Sequence, residues 1–299
     1  MDKRIQRNFI VGDSWLYYKI YSGPQSSDVI LKEIIGPLVK HLIDEGIIEK
    51  WFFIRYRDPD HHLRIRLHYS NQNNVGSIIN AFHSKLKHFF NQDLISKIQI
   101  DTYQREIERY GLNSIDLSET LFYYDSKMVV DFLKLMSKYD NGEEFRWLFS
   151  LKAIDSHLES FNYTLQEKQN LINQLKNSYR KEYDESKFLG KQLNDKYRDF
   201  RNKIDEFMNI NDNGADSSPF LDVLLKKSLN IEQTVIEILK LKLNNELLVD
   251  FNNLNASYIH MFMNRLFKSK NRLHEMVCYD FLNRHYMSKI ARERQGQLI

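Results

Sequence analysis

"WFFIRYRDPDHHLRIRLHYS", residues 51–70, decides the fold, because two runs of alternating residues flank a turn. In the second run, basic and apolar residues alternate as HHLRIRLHY, residues 61–69. Successive side chains of a strand point to opposite faces, so Arg64 and Arg66 share one face with two histidines. Asp58 and Pro59 favour a turn between the runs. The stretch therefore predicts an antiparallel β-hairpin with one apolar and one basic face.

The register of this hairpin bears on its charge. A turn at residues 58–61 predicts that Arg55, Arg57, Arg64 and Arg66 lie on one face, with Arg55 directly opposite Arg64. Like charges in such a pair destabilise a sheet. The face is then either solvated and bridged to acidic groups or built to hold an anion, since guanidinium forks grip carboxylates and phosphates. The residue pattern leaves both interpretations open.

A third basic segment follows at "KIQIDTYQREIERYG", residues 97–111. If this strand continues to its end, Tyr103, Arg105 and Arg109 lie on one side together with Ile107. The segment would then add two further guanidinium groups to the sheet.

The chain divides into a strand-rich first third and a helical remainder. "SWLYYKIYS", residues 14–22, is predicted to be a strand, and helices are predicted at about 28–46, with a kink or two short helices around Pro37, and at 73–90. From about 117 the apolar residues recur at helical spacing, with a loop at 209–219 and further helices at 220–246 and 247–293. The prediction is an α+β fold, with an antiparallel sheet in a strand-rich N-terminal third and a helical C-terminal two-thirds. The chain is predicted to form a single domain of residues 1–299. This domain is β-rich over 1–115 and helical over 116–299.

Composition excludes several classes of protein. The net charge is only +3 over 299 residues, so bulk electrostatics do not favour a nucleic-acid protein. Cys278 is the single cysteine, which excludes an internal disulfide and a cysteine-rich zinc site. The sequence has no HExxH motif and no glycine-rich phosphate loop, so no metal is expected. No apolar run suits a signal peptide or a membrane span, and a cytoplasmic protein is expected.

A polar patch interrupts the apolar helix "NASYIHMFMNRLFKSKNRLHEM", residues 255–276. His260 and Asn264 lie four residues apart, so they share one face of that helix. A histidine among Ile, Met and Phe is more often a hydrogen-bonded core residue than a catalyst. The residues alone leave both roles open.

Three segments in this order resemble a known family: WFFIRYRDPDHHLRIRL, DTYQREIERYG and YIHMFMNRLF. They are similar to the C-terminal domain of the lantibiotic dehydratases, also called the thiopeptide-type bacteriocin biosynthesis domain, and SWLYYKIY fits its opening strand. The resemblance covers about residues 14–275. In the family this module eliminates glutamate and usually follows a glutamylation domain. Because this sequence starts just before the module, the resemblance implies the stand-alone half of a split dehydratase.

The resemblance also implies a reaction and its residues. The family module removes the α-proton of a glutamylated Ser or Thr in a ribosomal precursor peptide and expels glutamate, which leaves dehydroalanine or dehydrobutyrine. This lyase needs no cofactor and serves lanthipeptide or thiopeptide biosynthesis. The family motifs place the catalytic roles on Arg64, Arg66, Arg105 and His260, with His260 transferring a proton. The residues expected to contact the substrate are Arg55, Arg57, Tyr103, Arg109 and Asn264.

The implied partners are the precursor peptide, a stand-alone glutamylation protein and a cyclase or cyclodehydratase of the pathway. Glutamyl-tRNA is expected to bind the glutamylation protein and not this chain. Full-length family dehydratases are dimeric, which favours a homodimer over a monomer. We expect Arg64, Arg66 and Arg105 to converge in one pocket with His260 facing them.

Two alternatives stay open. Related stand-alone proteins of thiopeptide pathways form a pyridine ring by a formal [4+2] cycloaddition of two dehydroalanines, and they need no grip on a glutamyl group. A non-catalytic subunit that docks the precursor peptide on its basic face is the second alternative. A deep pocket favours catalysis, whereas a shallow groove favours docking.

Overall fold

The computed structural model describes residues 5–139, 142–182, 187–210 and 219–296. The chain forms two compact units. The sheet unit comprises Met1–Lys134 and Ile236–Ser269, and the helical unit comprises Leu135–Val235 and Lys270–Ile299. The structure confirms the predicted α+β class, with the strands at the start of the chain and mostly helices after them.

Within the described residues, the sheet unit contains six strands in two antiparallel sheets. They are β1 (Asn8–Phe9), β2 (Trp15–Tyr21), β3 (Lys50–Arg57), β4 (His61–His68), β5 (Lys97–Asp101) and β6 (Tyr103–Gln104). Four of them form one sheet in the order β3-β4-β2-β5, while β1 pairs with β6. The predicted hairpin is therefore present as β3 and β4, and the predicted first strand is β2.

Eleven helices lie within the described residues. They are α1 (Pro24–Val29), α2 (Gly36–Asp44), α3 (Asn74–Asn91), α4 (Ile107–Tyr110), α5 (Ile115–Met136), α6 (Gly142–Ser160), α7 (Leu165–Glu182), α8 (Lys187–Asn209), α9 (Pro219–Leu243), α10 (Phe251–Leu266) and α11 (Asn271–Gly296). A π-helical turn, Ile30–Ile35, joins α1 to α2, so the helix predicted around Pro37 is two α-helices. The predicted loop at 209–219 lies almost entirely outside the described residues.

The register of the hairpin differs from the prediction by one residue. Arg64 pairs with Ile54 and Arg66 pairs with Phe52, whereas Arg55 pairs with Leu63. Because a one-residue shift moves every side chain of a strand to the other face, Arg55 and Arg57 both lie on the face opposite Arg64 and Arg66. The prediction of Arg55 beside Arg64 is therefore wrong. The like-charge pair that it implied does not form.

The strand predicted over residues 97–111 ends early. After β6 the chain turns into α4, and α4 ends at Gly111, which has a φ of +79°. Only glycine adopts this conformation readily. A Cβ at position 111 would also lie 2.7 Å from Oγ of Ser114. Arg105 and Arg109 consequently do not alternate along one strand, and that prediction is also wrong.

Aromatic packing fixes helices to both faces of the large sheet. On one face, Phe82 of α3 stacks on Tyr18 of β2, with ring centroids 4.5 Å apart. On the other face, Phe122 of α5 packs against Phe52 of β3 at 5.4 Å. Burial of such rings dominates the energetics of a core. The second face also carries Arg64 and Arg66, so the basic surface adjoins the aromatic core on that face.

The helical unit is built around α7 and α11, which pack side by side. Their interface includes a buried carboxylate, Glu275, which accepts hydrogen bonds from the hydroxyls of Tyr179 at 2.5 Å and Tyr279 at 3.0 Å. A second carboxylate, Asp155, binds the Tyr286 hydroxyl and the Lys168 ammonium, both at 2.8 Å. Buried polar groups with partners of this kind stabilise one packing arrangement.

Two further properties concern the described residues as a whole. No helix among them is long and apolar enough to cross a membrane. Within the same residues, no cluster of three or more His, Cys, Asp or Glu side chains could hold a metal ion.

Candidate functional site

A cavity of about 500 Å³ opens on the basic face of the sheet unit. Side chains from the residue before β1, from β2 and β4, and from the segment from β5 to α4 form its walls. Its basic lining residues are Arg7, Lys19, Arg64, Arg66, Arg105 and Arg109, and its acidic ones are Asp101, Glu106 and Glu108. The structure thus brings together the three arginines that were expected to converge.

The acidic groups of the cavity are already engaged. Asp101 pairs with Lys19, Glu108 pairs with Arg7, and Glu106 lies 3.4 Å from Nη1 of Arg109. Arg105 pairs with Asp116 and Glu119. Of these three residues, Arg105 lines the cavity and the two carboxylates do not. Among the described residues, Arg64 and Arg66 have no carboxylate partner. The cavity therefore contains two guanidinium groups that an external anion can neutralise.

Three aromatic rings surround the guanidinium group of Arg66. Its guanidinium carbon lies 4.7 Å from the ring centre of Tyr17, 4.8 Å from that of Tyr103 and 5.2 Å from that of Phe52. The side chain is 8% exposed, and its Nε has no hydrogen-bond partner among the described residues. Cation–π contacts stabilise the charge without occupying its N–H donors in the guanidinium plane. Arg66 is thus positioned for a bidentate grip on a carboxylate.

Arg64 is oriented by its neighbours on the hairpin. Its guanidinium stacks 3.4 Å from the ring centre of Tyr56, and its Nε donates to Nε2 of His62 at 3.1 Å. Nδ1 of His62 lies 2.9 Å from the carbonyl oxygen of Asp60, so this nitrogen carries the proton and Nε2 is the acceptor. Burial, together with the charge of Arg64, lowers the pKa of His62. Arg64 lines the cavity and has no carboxylate partner among the described residues.

Arg105 is a buried structural cation as well as a lining residue. Its Nε and Nη2 donate to the two oxygens of Glu119 at 2.8 and 2.6 Å, and Nη2 also reaches Asp116 at 2.6 Å. Glu119 is 0% exposed, so these bonds are shielded from water. Arg105 therefore belongs to a buried ion-pair network, because burial of the Glu119 carboxylate requires a cationic partner.

Tyr103 contributes its ring to the site and its hydroxyl to the core. The hydroxyl donates to Oε1 of Glu119 at 2.8 Å, and the ring lies under Arg66. Burial, with the nearby Glu119 charge, raises the pKa of Tyr103 well above its usual value. Tyr103 does not line the cavity. The structure places its ring beneath Arg66, and a contact of Tyr103 with the substrate stays a prediction.

Arg109 links the cavity to α10. Its Nε donates to the hydroxyl of Ser257 at 3.1 Å. His260 follows Ser257 by three residues, so the half-buried imidazole lies on the same face of α10, one turn further along. His260 is not itself a lining residue. Its approach to Arg64 and Arg66 stays a prediction.

The remaining predicted contact residues lie elsewhere. The side-chain amide of Asn264 accepts from the backbone N–H of Arg55 and donates to its carbonyl, both at 2.9 Å. The Arg55 guanidinium is buried and binds Asp28 of α1 and the carbonyl of Arg265. Arg57 is exposed at the end of β3. None of these three predicted residues lines the cavity.

Tyr17 is a candidate that the sequence did not single out. It lines the cavity, pairs with Arg66 in the register of β2 and β4, and is 4% exposed. Its hydroxyl has no hydrogen-bond partner among the described residues. Burial raises the pKa of Tyr17, against the opposing effect of Arg66, so the phenol keeps its proton as a donor. The position opposite Arg66 is the signal that could have identified it.

A second unanticipated residue is Arg265, behind the site on α10. Its side chain is 0% exposed, and its three guanidinium nitrogens have no hydrogen-bond partner among the described residues. The carboxylate of Asp125 lies 3.9 Å away and the Phe122 ring 4.8 Å away. Burial lowers the pKa of Arg265 to about 10. This buried charge adds to the positive potential around Arg66.

Comparison with known proteins identifies the family of this chain. The chain is 28% identical over 193 residues to the subtilin biosynthesis protein SpaB of Bacillus subtilis, which covers 64% of this chain and 18% of SpaB. It is 30% identical over 145 residues to the nisin biosynthesis protein NisB of Lactococcus lactis subsp. lactis, which covers 47% of this chain and 14% of NisB. The matched regions thus span less than a fifth of each of these relatives.

Two solved structures share the fold. The tRNA-dependent lantibiotic dehydratase MibB from Microbispora sp. 107891 superposes with a TM-score of 0.68 at 17% identity, over 96% of this chain and 29% of MibB. The pyridine synthase TbtD from thiomuracin biosynthesis also superposes with a TM-score of 0.68, at 11% identity, over 91% of this chain and 97% of TbtD. The family model for the lantibiotic biosynthesis dehydratase C-terminal domain matches residues 15–287. The chain belongs to the lantibiotic dehydratase C-terminal family.

Proposed function

We propose that this chain eliminates glutamate from glutamylated Ser or Thr residues of a ribosomal precursor peptide. The observation that carries the proposal is the pair Arg64 and Arg66, which have no carboxylate partner among the described residues and line a cavity of about 500 Å³. A glutamyl ester presents one free carboxylate before the reaction and two carboxylates after it. The guanidinium groups of Arg64 and Arg66 can each bind a carboxylate through two N–H donors.

The proposed reaction assigns a role to each group. A base takes the α-proton of the modified residue, the electron pair forms the Cα=Cβ bond, and the Cβ–O bond breaks so that glutamate leaves as a carboxylate. Arg66 and Arg64 stabilise the negative charge that develops on the leaving oxygen, and the Tyr17 hydroxyl donates to the same group. Donors fixed in advance at such a position lower the barrier most.

His260 is the proposed proton-transfer group. It lies one helical turn from Ser257, which binds Arg109 of the cavity. Histidine is a common proton-transfer group near neutral pH, and a neutral imidazole can accept a proton. Arg105 and Tyr103 position Arg66 and Glu119 and do not touch the substrate in this proposal.

The partners follow from the reaction. The chain takes a precursor peptide that a separate glutamylation protein has esterified, and it uses neither glutamyl-tRNA nor a cofactor. A pathway cyclase or cyclodehydratase would act on the same peptide.

Mass spectrometry of a glutamylated precursor peptide incubated with this protein alone tests the proposal. Each elimination removes the mass of one glutamate and leaves a dehydrated residue. Dehydrated product without tRNA or ATP supports the proposal. Unchanged ester, with a protein that still binds the peptide, would instead favour the docking role. An absolute need for tRNA would place this chain at another step.

Pyridine synthesis is a second candidate, and a specific observation favours it. The fold of TbtD matches over 97% of that chain, so the two proteins correspond nearly end to end. A cycloaddition of two dehydroalanines has no carboxylate leaving group, which leaves Arg64 and Arg66 without a role. A peptide that already carries two dehydroalanines is the discriminating substrate. Formation of a cyclised product, with loss of water, would show that pyridine synthesis is the function and that glutamate elimination is not.

A further inference from the structure

The helical unit contains a second cavity, of about 490 Å³, that belongs to no site described above. Residues of α7, α8 and α11 line it. Five of the lining side chains are cationic: Lys176, Arg180, Arg198, Arg201 and Arg284. Among the described lining residues, Asp280 is the single carboxylate. The wall of this cavity is therefore strongly positive.

Asp280 orients two of the arginines. Its buried carboxylate accepts from Nη2 of Arg180 and from Nε of Arg284, both at 2.6 Å. Nη1 of Arg284 also donates to Oδ1 of Asn194 at 3.1 Å. The guanidinium of Arg284 has five N–H donors, so these bonds fix its plane without using all of them.

The arginines at the rim are only loosely paired. Nη1 of Arg198 lies 3.9 Å from Asp195, and Nε of Arg201 lies 3.9 Å from Asp205. These separations exceed the length of a hydrogen bond. Ion pairs of this kind at an exposed surface contribute little energy. Both rim arginines can therefore turn to an anion in the cavity at small cost.

A buried hydroxyl in the same cavity has no partner among the described residues. Tyr197 lines the cavity and is 8% exposed, and its hydroxyl makes no hydrogen bond there. The guanidinium of Arg284 lies 5.6 Å from the centre of its ring. Burial raises the pKa of Tyr197, so the hydroxyl is a donor at neutral pH. An unsatisfied buried donor costs free energy that a bound acceptor would recover.

We propose that this cavity binds a phosphate group, with Arg284, Arg201 and the Tyr197 hydroxyl donating to its oxygens. A phosphate monoester carries close to two negative charges and three acceptor oxygens, which match the cationic lining and the available donors of this cavity. A free amino acid fits less well, because its ammonium group would meet cations and the one lining carboxylate already binds two arginines. The site takes either a small phosphate ester or the phosphate of a nucleic-acid backbone.

Calorimetric titration of the full chain with pyrophosphate tests the site. Tyr197→Phe keeps the ring and removes only the hydroxyl, so we expect an unchanged or higher melting temperature and binding weaker by about tenfold. Arg201→Gln should weaken binding by about three- to tenfold, since it removes a guanidinium at the rim. Arg292→Gln is the matched control, because Arg292 is an exposed arginine of α11 outside the cavity.

The outcomes separate the proposal from non-specific attraction and identify the source of the phosphate. Absence of saturable pyrophosphate binding, or equal weakening by Tyr197→Phe and Arg292→Gln, would overturn the proposal. Displacement of pyrophosphate by an equal concentration of free glutamate would overturn the assignment to phosphate. Displacement by a short single-stranded RNA supports a backbone phosphate as the source. Pyrophosphate binding that RNA leaves unchanged supports a small phosphate ester.

Discussion

Nε of Arg64 donates to Nε2 of His62, two residues earlier on the same strand, and this bond requires a neutral imidazole. Burial lowers the pKa of His62 below its ordinary value of 6.5. The unfolded chain therefore binds a proton at this residue at a higher pH than the folded chain does. Stability is then greater above about pH 6.5 and falls as the pH drops below it.

The prediction compares wild type with His62→Gln. The free energy of unfolding of the wild type should fall more steeply between about pH 6.5 and 5 than that of the variant. Urea unfolding at a series of pH values measures the difference. Parallel curves would show that His62 does not titrate differently in the two states.

Arg66→Met should abolish most activity without loss of stability. Methionine keeps the aliphatic contacts with Tyr17 and Tyr103 but removes the guanidinium that has no carboxylate partner among the described residues. We expect kcat for elimination to fall by about 10²-fold or more, with glutamylated peptide accumulating. Lys127→Met, an exposed substitution on α5, is the control for charge. Wild-type turnover in the Arg66 variant would exclude this residue from the site.

Tyr17→Phe tests the unpartnered hydroxyl of the candidate site. Because that hydroxyl makes no hydrogen bond among the described residues, its removal should leave the melting temperature unchanged or raise it. Elimination should slow by about tenfold if the phenol donates to the leaving carboxylate. Single-turnover kinetics with glutamylated peptide give the rate. A slower rate accompanied by a lower melting temperature would point to a packing role.

Arg105→Ala should destabilise the fold. The substitution leaves Glu119, which is 0% exposed, without the two bonds that neutralise it. The expected loss is about 3–5 kcal/mol of unfolding free energy. Arg105→Met combined with Glu119→Gln removes both charges and should recover much of that loss, as measured by urea unfolding. An Arg105→Ala protein of wild-type stability would contradict the structural role.

Asn264→Ala should act on stability and not on turnover. The side chain binds both the N–H and the carbonyl of Arg55, so its loss leaves two backbone groups of β3 unpaired, at a cost of about 2 kcal/mol. Asn253→Ala, an exposed position on α10, is the matched control. Elimination per folded molecule should stay within about threefold of wild type. A selective loss of substrate affinity would restore Asn264 to the substrate-binding set.

Much of the fold follows from local patterns in the sequence. Alternation in HHLRIRLHY identifies β4, and Arg64 and Arg66 on the basic face of that strand line the cavity. Register is harder, because a shift of one residue changes the face of every side chain while the residue pattern stays the same. Arg55 illustrates this: its place is set by Asp28 and by Arg265, residues far from it in sequence.

The candidate site was predictable in its charges but not in its pairing. The sequence shows arginines at 64, 66 and 105, yet it cannot show which of them meets a buried carboxylate. Glu119 decides this for Arg105, and no local signal in the helix that contains it marks it as buried. The unpartnered hydroxyl of Tyr17 is likewise a property of three-dimensional packing.

Neither unit is one uninterrupted stretch of the gene, since the sheet unit takes both Met1–Lys134 and Ile236–Ser269. A protein truncated after residue 134 would lack α10. It would therefore lack the Asn264 side chain, which binds the backbone N–H and carbonyl of Arg55 at the outer edge of β3. Unpaired strand edges recruit other chains, so such a fragment is expected to self-associate on expression. Any minimal version of the sheet unit must therefore carry its second segment.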